Sequence, residues 1–183
     1  MARNVPAYET QRFSFGPGIL YMGAIGTTPL VDIGAVKGDV EVVIERVPLQ
    51  LKQGSPQSLV KQYAVEENVS IKITGVEWDF DNFTYALGAG VTSISGADEV
   101  FEFGGDTDVN QRALRFVHLT GDGGTIDMHF FTTEGSGNLA MALKETDWHD
   151  FPYEFSVLEG TTDFEGAALV ANRKKIKIIR TPV

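Results

Sequence analysis

Four short stretches of this sequence carry residue types that do chemistry elsewhere. His118, Asp127 and His129 fall within one hairpin. Centring its turn on Gly121-Asp122-Gly123-Gly124 sets all three on one face, with His118 opposite Asp127. Two imidazoles around a carboxylate are a zinc donor set or the acid–base pair of a hydrolase. The same pattern is an ordinary cross-strand charged pair, and no third protein ligand accompanies the histidines, so the structural pair is the expectation. Asp106-Thr107-Asp108-Val109-Asn110 opens like a calcium loop, but Gln111 and Val117 occupy the places of its glycine and glutamate. The glycine-rich Gly121–Gly124 stretch lacks the Lys-Ser/Thr of a phosphate loop and reads as a turn. Ser136, between Gly135 and Gly137, lacks the strand-to-helix setting of a nucleophile elbow. With no cysteine, thiol chemistry, thiolate metal sites and disulfides drop out. The expectation is a protein without catalytic residues, metal or cofactor.

The elements around these residues read as mainly β. Gly16-Pro17-Gly18 leads into a short strand, Ile19–Met22, and residues 1–18 before it show no period and read as an N-terminal arm. From Asp39 the pattern alternates. Val40, Val42 and Ile44 take one face, and Asp39, Glu41 and Glu45 the other, with Val43 the exception. Val69, Ile71 and Ile73 repeat this against Ser70, Lys72 and Thr74, so the two segments are expected as antiparallel neighbours sharing one apolar and one wet face. Between them residues 48–62, including Lys52, Gln53, Gly54, Ser55, Pro56 and Lys61, read as a long loop, mobile in the free subunit. Asp79 caps a helix that Gly88 ends. Trp78 and Phe83 make its hydrophobic staple, and Phe80, Phe83 and Leu87 its buried stripe. Strands are expected at 113–119, 126–131, 139–144 and 151–158, and a basic strand or arm in 171–183. The outcome is a β-sandwich or barrel with one short helix and a long hairpin loop, its body spanning residues 19–170.

Charge is unevenly spread along the 183 residues, whose formal net charge is -10. Residues 98–165 carry 3 basic and 15 acidic side chains, whereas 166–183 carry five basic ones (Arg173, Lys174, Lys175, Lys177 and Arg180) and no acid. That balance argues against a nucleic-acid reader, and the basic end is expected to meet an acidic surface of another copy. Met1–Pro6 is polar and no run of 18 apolar residues occurs, so a soluble chain kept in the cytoplasm of its producer, without membrane insertion, is expected.

The order and spacing of several segments resemble the tail tube (major tail) proteins of long-tailed, non-contractile bacteriophages. They are Gly16-Pro17-Gly18-Ile19-Leu20-Tyr21-Met22-Gly23, Gly26-Thr27-Thr28, Asp32–Gly38 with the acidic strand after it, the loop through Gly54-Ser55-Pro56, the capped helix ending Ala86-Leu87-Gly88, and Asp147–Phe155. The resemblance implies a virion protein of the phage tail, assembled in the host cytoplasm from hexameric rings stacked into a tube. Each subunit would lend strands to an inner barrel, while loop 48–62 and the terminal arms link successive rings. It implies tape measure, distal tail or baseplate and tail terminator proteins as partners, and double-stranded DNA as transiting cargo. Six subunits lending four strands each would close a barrel of roughly 45–50 Å backbone diameter at ~4.8 Å spacing and ~40° tilt. In that arrangement Asp39, Glu41, Glu45 and Lys72 are expected to line the lumen. The rival reading is a carbohydrate- or host-surface-binding β-sandwich module, anchored on Trp78 and Trp148, the only two tryptophans.

Overall fold

The computed structural model describes residues 18–34, 36–105, 107–120 and 123–182. The expected arm lies outside the described residues except for Gly18, as do Asp106, Gly121 and Asp122 of the loops discussed above. The chain is mainly β, in the order β1 Gly18–Gly23, β2 Val31–Asp32, β3 Glu41–Gln53, β4 Ser58–Gly75, α1 Phe80–Leu87, β5 Val91–Ser95, β6 Asp98–Glu102, β7 Gln111–Leu119, β8 Thr125–Gly135, β9 Phe151–Val157 and β10 Ile176–Thr181. β5 and β6 form a separate hairpin. The other strands make one antiparallel sheet ordered β2-β1-β7-β8-β9-β4-β3, with β10 also paired to β8. Among the described residues no helix is long and apolar enough to cross a membrane.

The sheet folds over its own core because of β8. Two registers meet there. At the open end of the β7–β8 hairpin Gln111 faces Glu134 and Arg112 faces Thr133, but from Leu114↔Phe130 onward the pairing has shifted by one residue. Phe131 and Thr132 thus stand against Ala113 alone, a bulge that bends the strand. Beyond the bend the free edge of β8 passes from β10, which pairs with Thr125–Phe130, to β9, which pairs with Thr133–Gly135. β8 therefore belongs to two leaves, β2-β1-β7-β8-β10 and β8-β9-β4-β3. Leu20, Met22, Leu114, Phe116 and Phe130 of the first pack with Val69, Ile71, Ile73, Tyr153 and Phe155 of the second in one buried cluster. This is a β-sandwich-like fold.

Helix α1 plugs one end of this core. Asp79 Oδ1 accepts from the backbone N–H of Asp81 (2.9 Å) and Asn82 (3.3 Å), Trp78 meets Phe83 at 5.9 Å, and Gly88 closes the helix at φ 69°, as expected. Its buried side chains are Asn82, Phe83 and Ala86, with Phe80 and Leu87 half-buried beside them. Asn82 donates to the Ile33 carbonyl at 2.7 Å, tying the helix to the chain that follows β2.

Three expectations change. Residues 48–62 are not a loose connection: β3 runs to Gln53, β4 starts at Ser58, and only Gly54–Gln57 turn between them. Register shifts leave Val65 and Val60 as extra residues on β4, opposite the Val47/Pro48 and Leu51/Lys52 steps, and break the period of two on that strand. Residues 139–144 form no strand; a single bridge, Ala142↔Asp150, stands there, inside a segment held by ion pairs. The one-residue shift in β7–β8 also places Val117, not His118, opposite Asp127.

Candidate functional surfaces

The shift separates the proposed chemical residues. His118 lies opposite Ile126 on the core-side face, while Asp127 and His129 point to the other face. There Arg115 grips Asp127 in a forked pair, Nη2 to Oδ2 at 2.7 Å and Nε to both oxygens at 3.1 Å. His129 Nε2 lies 3.1 Å from Asp127 Oδ1, and its ring stacks on Phe164 at 4.4 Å. Burial acts to raise the Asp127 carboxyl, but the Arg115 hydrogen bonds and the neighbouring His129 outweigh it and hold the group below its ordinary value. A carboxylate held ionised by a guanidinium fork is a poor general acid, and with His118 on the far side of the sheet the hydrolase arrangement does not form. This group instead secures residues 158–170 over β8. Phe164 and Leu169 of that segment pack with Ala113 and Phe131 in a second small core.

The acidic face is gathered as expected. Glu41 stands opposite Lys72, and Lys72 opposite Glu154, with Lys72 Nζ 3.3 Å from Glu154 Oε1. Glu45, four pairs along and opposite Asn68, shares the face, and Asp39 lines the same shallow cleft as Glu41, Lys72 and Glu154. Through Ser156 the row reaches Glu134 on β8. The outward side of the β8-β9-β4-β3 leaf is therefore an acidic surface in which Lys72 has no second cation beside it along these pairs.

Past Arg46, which hydrogen-bonds Glu67 through Nε at 2.9 Å, β3 and β4 leave the body. Residues 48–68 are all exposed, and Pro48–Gln53 pair with residues of β4 alone. The two strands form a ladder that extends about 25 Å at ~3.3 Å per residue. Its polarity inverts. Odd-numbered β3 positions in the body carry Glu41 and Glu45 with Val43 between them, but in the ladder all are apolar up to Leu51, at Val47, Leu49 and Leu51, with Tyr63 opposite Leu49 and Lys61 opposite Leu51. The even positions, which face the core at Val42, become Pro48, Gln50 and Lys52. Leu49, Leu51 and Tyr63 remain 60%, 55% and 52% exposed. These apolar groups point away from the side on which the chain's own core lies, so folding of the single chain does not cover them. Gln53 ends β3, and Gly54 opens the turn at φ 101°, a conformation that favours glycine.

The basic C-terminal segment is a strand of the chain's own sheet. Lys177 lies opposite His129 and Arg180 opposite Ile126. Lys174 pairs with Glu159 at 3.2 Å, and Lys175 donates to the Glu67 carbonyl. Part of the charge expected to meet another copy is thus engaged within the chain, and Arg173, Lys177 and Arg180 are also exposed to solvent.

Two features had no counterpart in the sequence reading. Lys37 Nζ lies 2.6 Å from Asp147 and 3.4 Å from Asp150, and Lys144 also pairs with Asp150, stapling residues 139–150 to the chain before β3. The Lys37 hydrogen bond lowers the Asp147 carboxyl, the Lys144 hydrogen bond lowers that of Asp150, and the bond to Asp147 raises the Lys37 amine. The second is a cleft of about 790 Å³ between the start of α1 and the β5–β6 hairpin, with Trp78 and Ile94 among its apolar lining and Glu77, Asp79, Asp81 and Glu99 among its acids. No protein-family model matches the chain, and no curated protein matches it.

Proposed function

We propose that this chain is a structural subunit of a phage tail tube of the long-tailed, non-contractile type. Copies of it assemble as hexameric rings stacked into a conduit for DNA, and the chain performs no chemical step itself. The observation that carries the reading is the β3–β4 ladder, whose apolar side is turned away from the chain's own core and left open to solvent. A two-stranded ribbon with an uncovered apolar face is marginal alone and gains its stability from a partner surface. A second support is the β8-β9-β4-β3 leaf, which offers four strands per subunit with an acidic outward side. With Asp39, Glu41, Glu45 and Lys72 on the lumen wall, a passing duplex meets repulsion instead of the counterion-releasing grip of a basic surface. The order of segments shared with tail tube proteins, from Gly16-Pro17-Gly18 to Asp147–Phe155, fits the same assignment. Tape measure, distal tail or baseplate and terminator proteins are its partners in this reading, and the virion tail its location.

A surface-binding module is the second reading, because Trp78 and Trp148 are 50% and 73% exposed and His149, next to Trp148, meets Trp78 at 6.2 Å. Electron microscopy of the concentrated chain, alone and with an initiating tail complex, separates the two. Rings or tubes are expected, whereas monomers under every condition would favour the module.

A further inference from the structure

The β3–β4 ladder and the cleft at α1 lie at opposite ends of one strand. The ladder tip is where β4 begins, at Ser58, and the cleft opens just after β4 ends, at Gly75, some 60 Å away at ~3.3 Å per residue. The two ends complement each other chemically. Between Val47 and Val65 the ladder carries Lys52 and Lys61 and no acid, with Lys61 on the same side as Leu49, Leu51 and Tyr63. The cleft offers a half-exposed Trp78 and an Ile94 that is 79% exposed, rimmed by Glu77, Asp79, Asp81 and Glu99, with no lysine or arginine in its lining.

We propose that the cleft between α1 and the β5–β6 hairpin is the receptor for the ladder of a second copy, with Leu49, Leu51 and Tyr63 covering Trp78 and Ile94 and Lys61 meeting the acidic rim. This rests on the tail-tube reading and adds to it the surface that accepts the ladder. A contact between unlike surfaces at opposite ends of one subunit leaves a ladder and a cleft open after each addition, so it builds a closed ring or an open filament of many copies. Within one chain the distance forbids it: the ladder is a paired strand ribbon pointing away from the cleft, so a chain's own ladder does not reach its own cleft. Charge complementarity sets the register and speeds encounter, while the apolar area supplies the adhesion.

The absence of cysteine makes the test direct. A chain carrying both Leu51→Cys and Ile94→Cys, two exposed positions whose change leaves the core intact, is assembled and mildly oxidised. A series of disulfide-linked dimers, trimers and longer species on a non-reducing gel is expected, while Leu51→Cys alone, which finds no cysteine in the cleft it enters, should run as a monomer. Separately, Lys61→Glu and Glu99→Lys chains should each assemble about tenfold less well at low salt, and mixing the two should restore assembly, because each then finds an opposite charge in its partner. If the parent chain forms rings or tubes but the double-cysteine chain yields no ladder of products, and Glu99→Lys assembles normally, the receptor lies elsewhere and the inference is overturned with the tail-tube reading intact. If the parent chain fails to assemble under every condition, the reading beneath it falls as well.

Discussion

Replacing Phe83 by alanine tests the packing that closes the sandwich. Its side chain is 1% exposed and meets four other rings: Trp78 at 5.9 Å, Phe80 at 5.6 Å, Phe101 at 6.1 Å and Phe151 at 5.2 Å. Losing the buried ring removes roughly 2–3 kcal/mol of transfer free energy. The cavity left behind and the broken ring contacts add to this, since each aromatic pair contributes about 0.5–1.5 kcal/mol beyond its area. Phe80, Phe101 and Phe151 are anchored on three separate elements, α1, β6 and β9, and Trp78 on the turn before α1, so they relax inward only in part. A total near 4 kcal/mol follows, inside the ~3–5 range of such core truncations. At about 2–4 °C per kcal/mol for a chain of this size, the melting midpoint should fall by roughly 8–16 °C. Circular dichroism of the two proteins read side by side measures it, with Phe103→Ala, at a residue 62% exposed, as the control expected to stay within about 0.5 kcal/mol of the parent. A Phe83→Ala midpoint within 2 °C of the parent, on the same ~2–4 °C scale, would refute the view that α1 is sealed by this cluster.

The ion-pair staple makes residues 139–150 sensitive to acid. Asp147 and Asp150 titrate below their ordinary value, so their contribution is present above the unfolded carboxylate pKa of about 3.9 and disappears as pH falls through the lower folded values. Lys37, raised by the same pairing, contributes below its unfolded value of about 10.4 and loses that contribution as pH rises through its higher folded value. Protection of the amides across 139–150, measured against their intrinsic exchange rates, should therefore fall below about pH 4, and Asp147→Asn with Asp150→Asn should show the lower protection already at neutral pH. At Gly135 a Cβ would overlap the carbonyl oxygens of Tyr85 and Ala86, so Gly135→Ala should cost about 1–3 kcal/mol in a urea titration; an unchanged midpoint would show that α1 does not press on β8. Changing Glu41 and Glu45 together to lysine should leave rings and tubes able to form but slow DNA delivery, more so at low ionic strength; parental ejection rates across salt concentrations would remove these residues from the lumen wall.

The strands that were legible in the sequence are those whose two faces meet different solvents. β9 alternates Phe151, Tyr153, Phe155 and Val157 inward with Pro152 and Ser156 outward and exposed. The facing parts of β3 and β4 do the same, and α1 declares itself through Asp79 and Gly88. The β5–β6 hairpin stayed invisible because Val91–Ser95 is exposed at every position, leaving no buried face to impose a period. The β7–β8 register was misread because a bulge leaves no mark in the residues themselves. Phe131 is as apolar as Phe130, and only the fold shows that one faces the main core and the other the Phe164 cluster. In sequence the ladder reads as a loop, because the apolar positions of β3 change sides near Arg46 and the change looks like loss of pattern. As for the candidate surfaces, Asp39, Glu41, Glu45 and Lys72 were readable as one face from alternation alone. The Lys37–Asp147 pair joins residues 110 apart in sequence, and no local signal announces such a contact.

Because β8 serves both leaves, the timetable of synthesis matters for this chain. The β3–β4 hairpin is local and complete once Gly75 has emerged, yet the strands that flank the remaining edges of the sheet come from β7 onward, and β10 ends only at Thr181. At about 5–20 residues per second, the apolar side chains of β4 wait roughly 5–20 s for the strands that will bury them. Through that interval each growing chain displays the edge of β4 that β9 later covers, together with an apolar ladder, to its neighbours on the same message. The two lysines of the ladder repel their counterparts on a second copy, so like-charge repulsion acts at the place where premature strand pairing would otherwise begin.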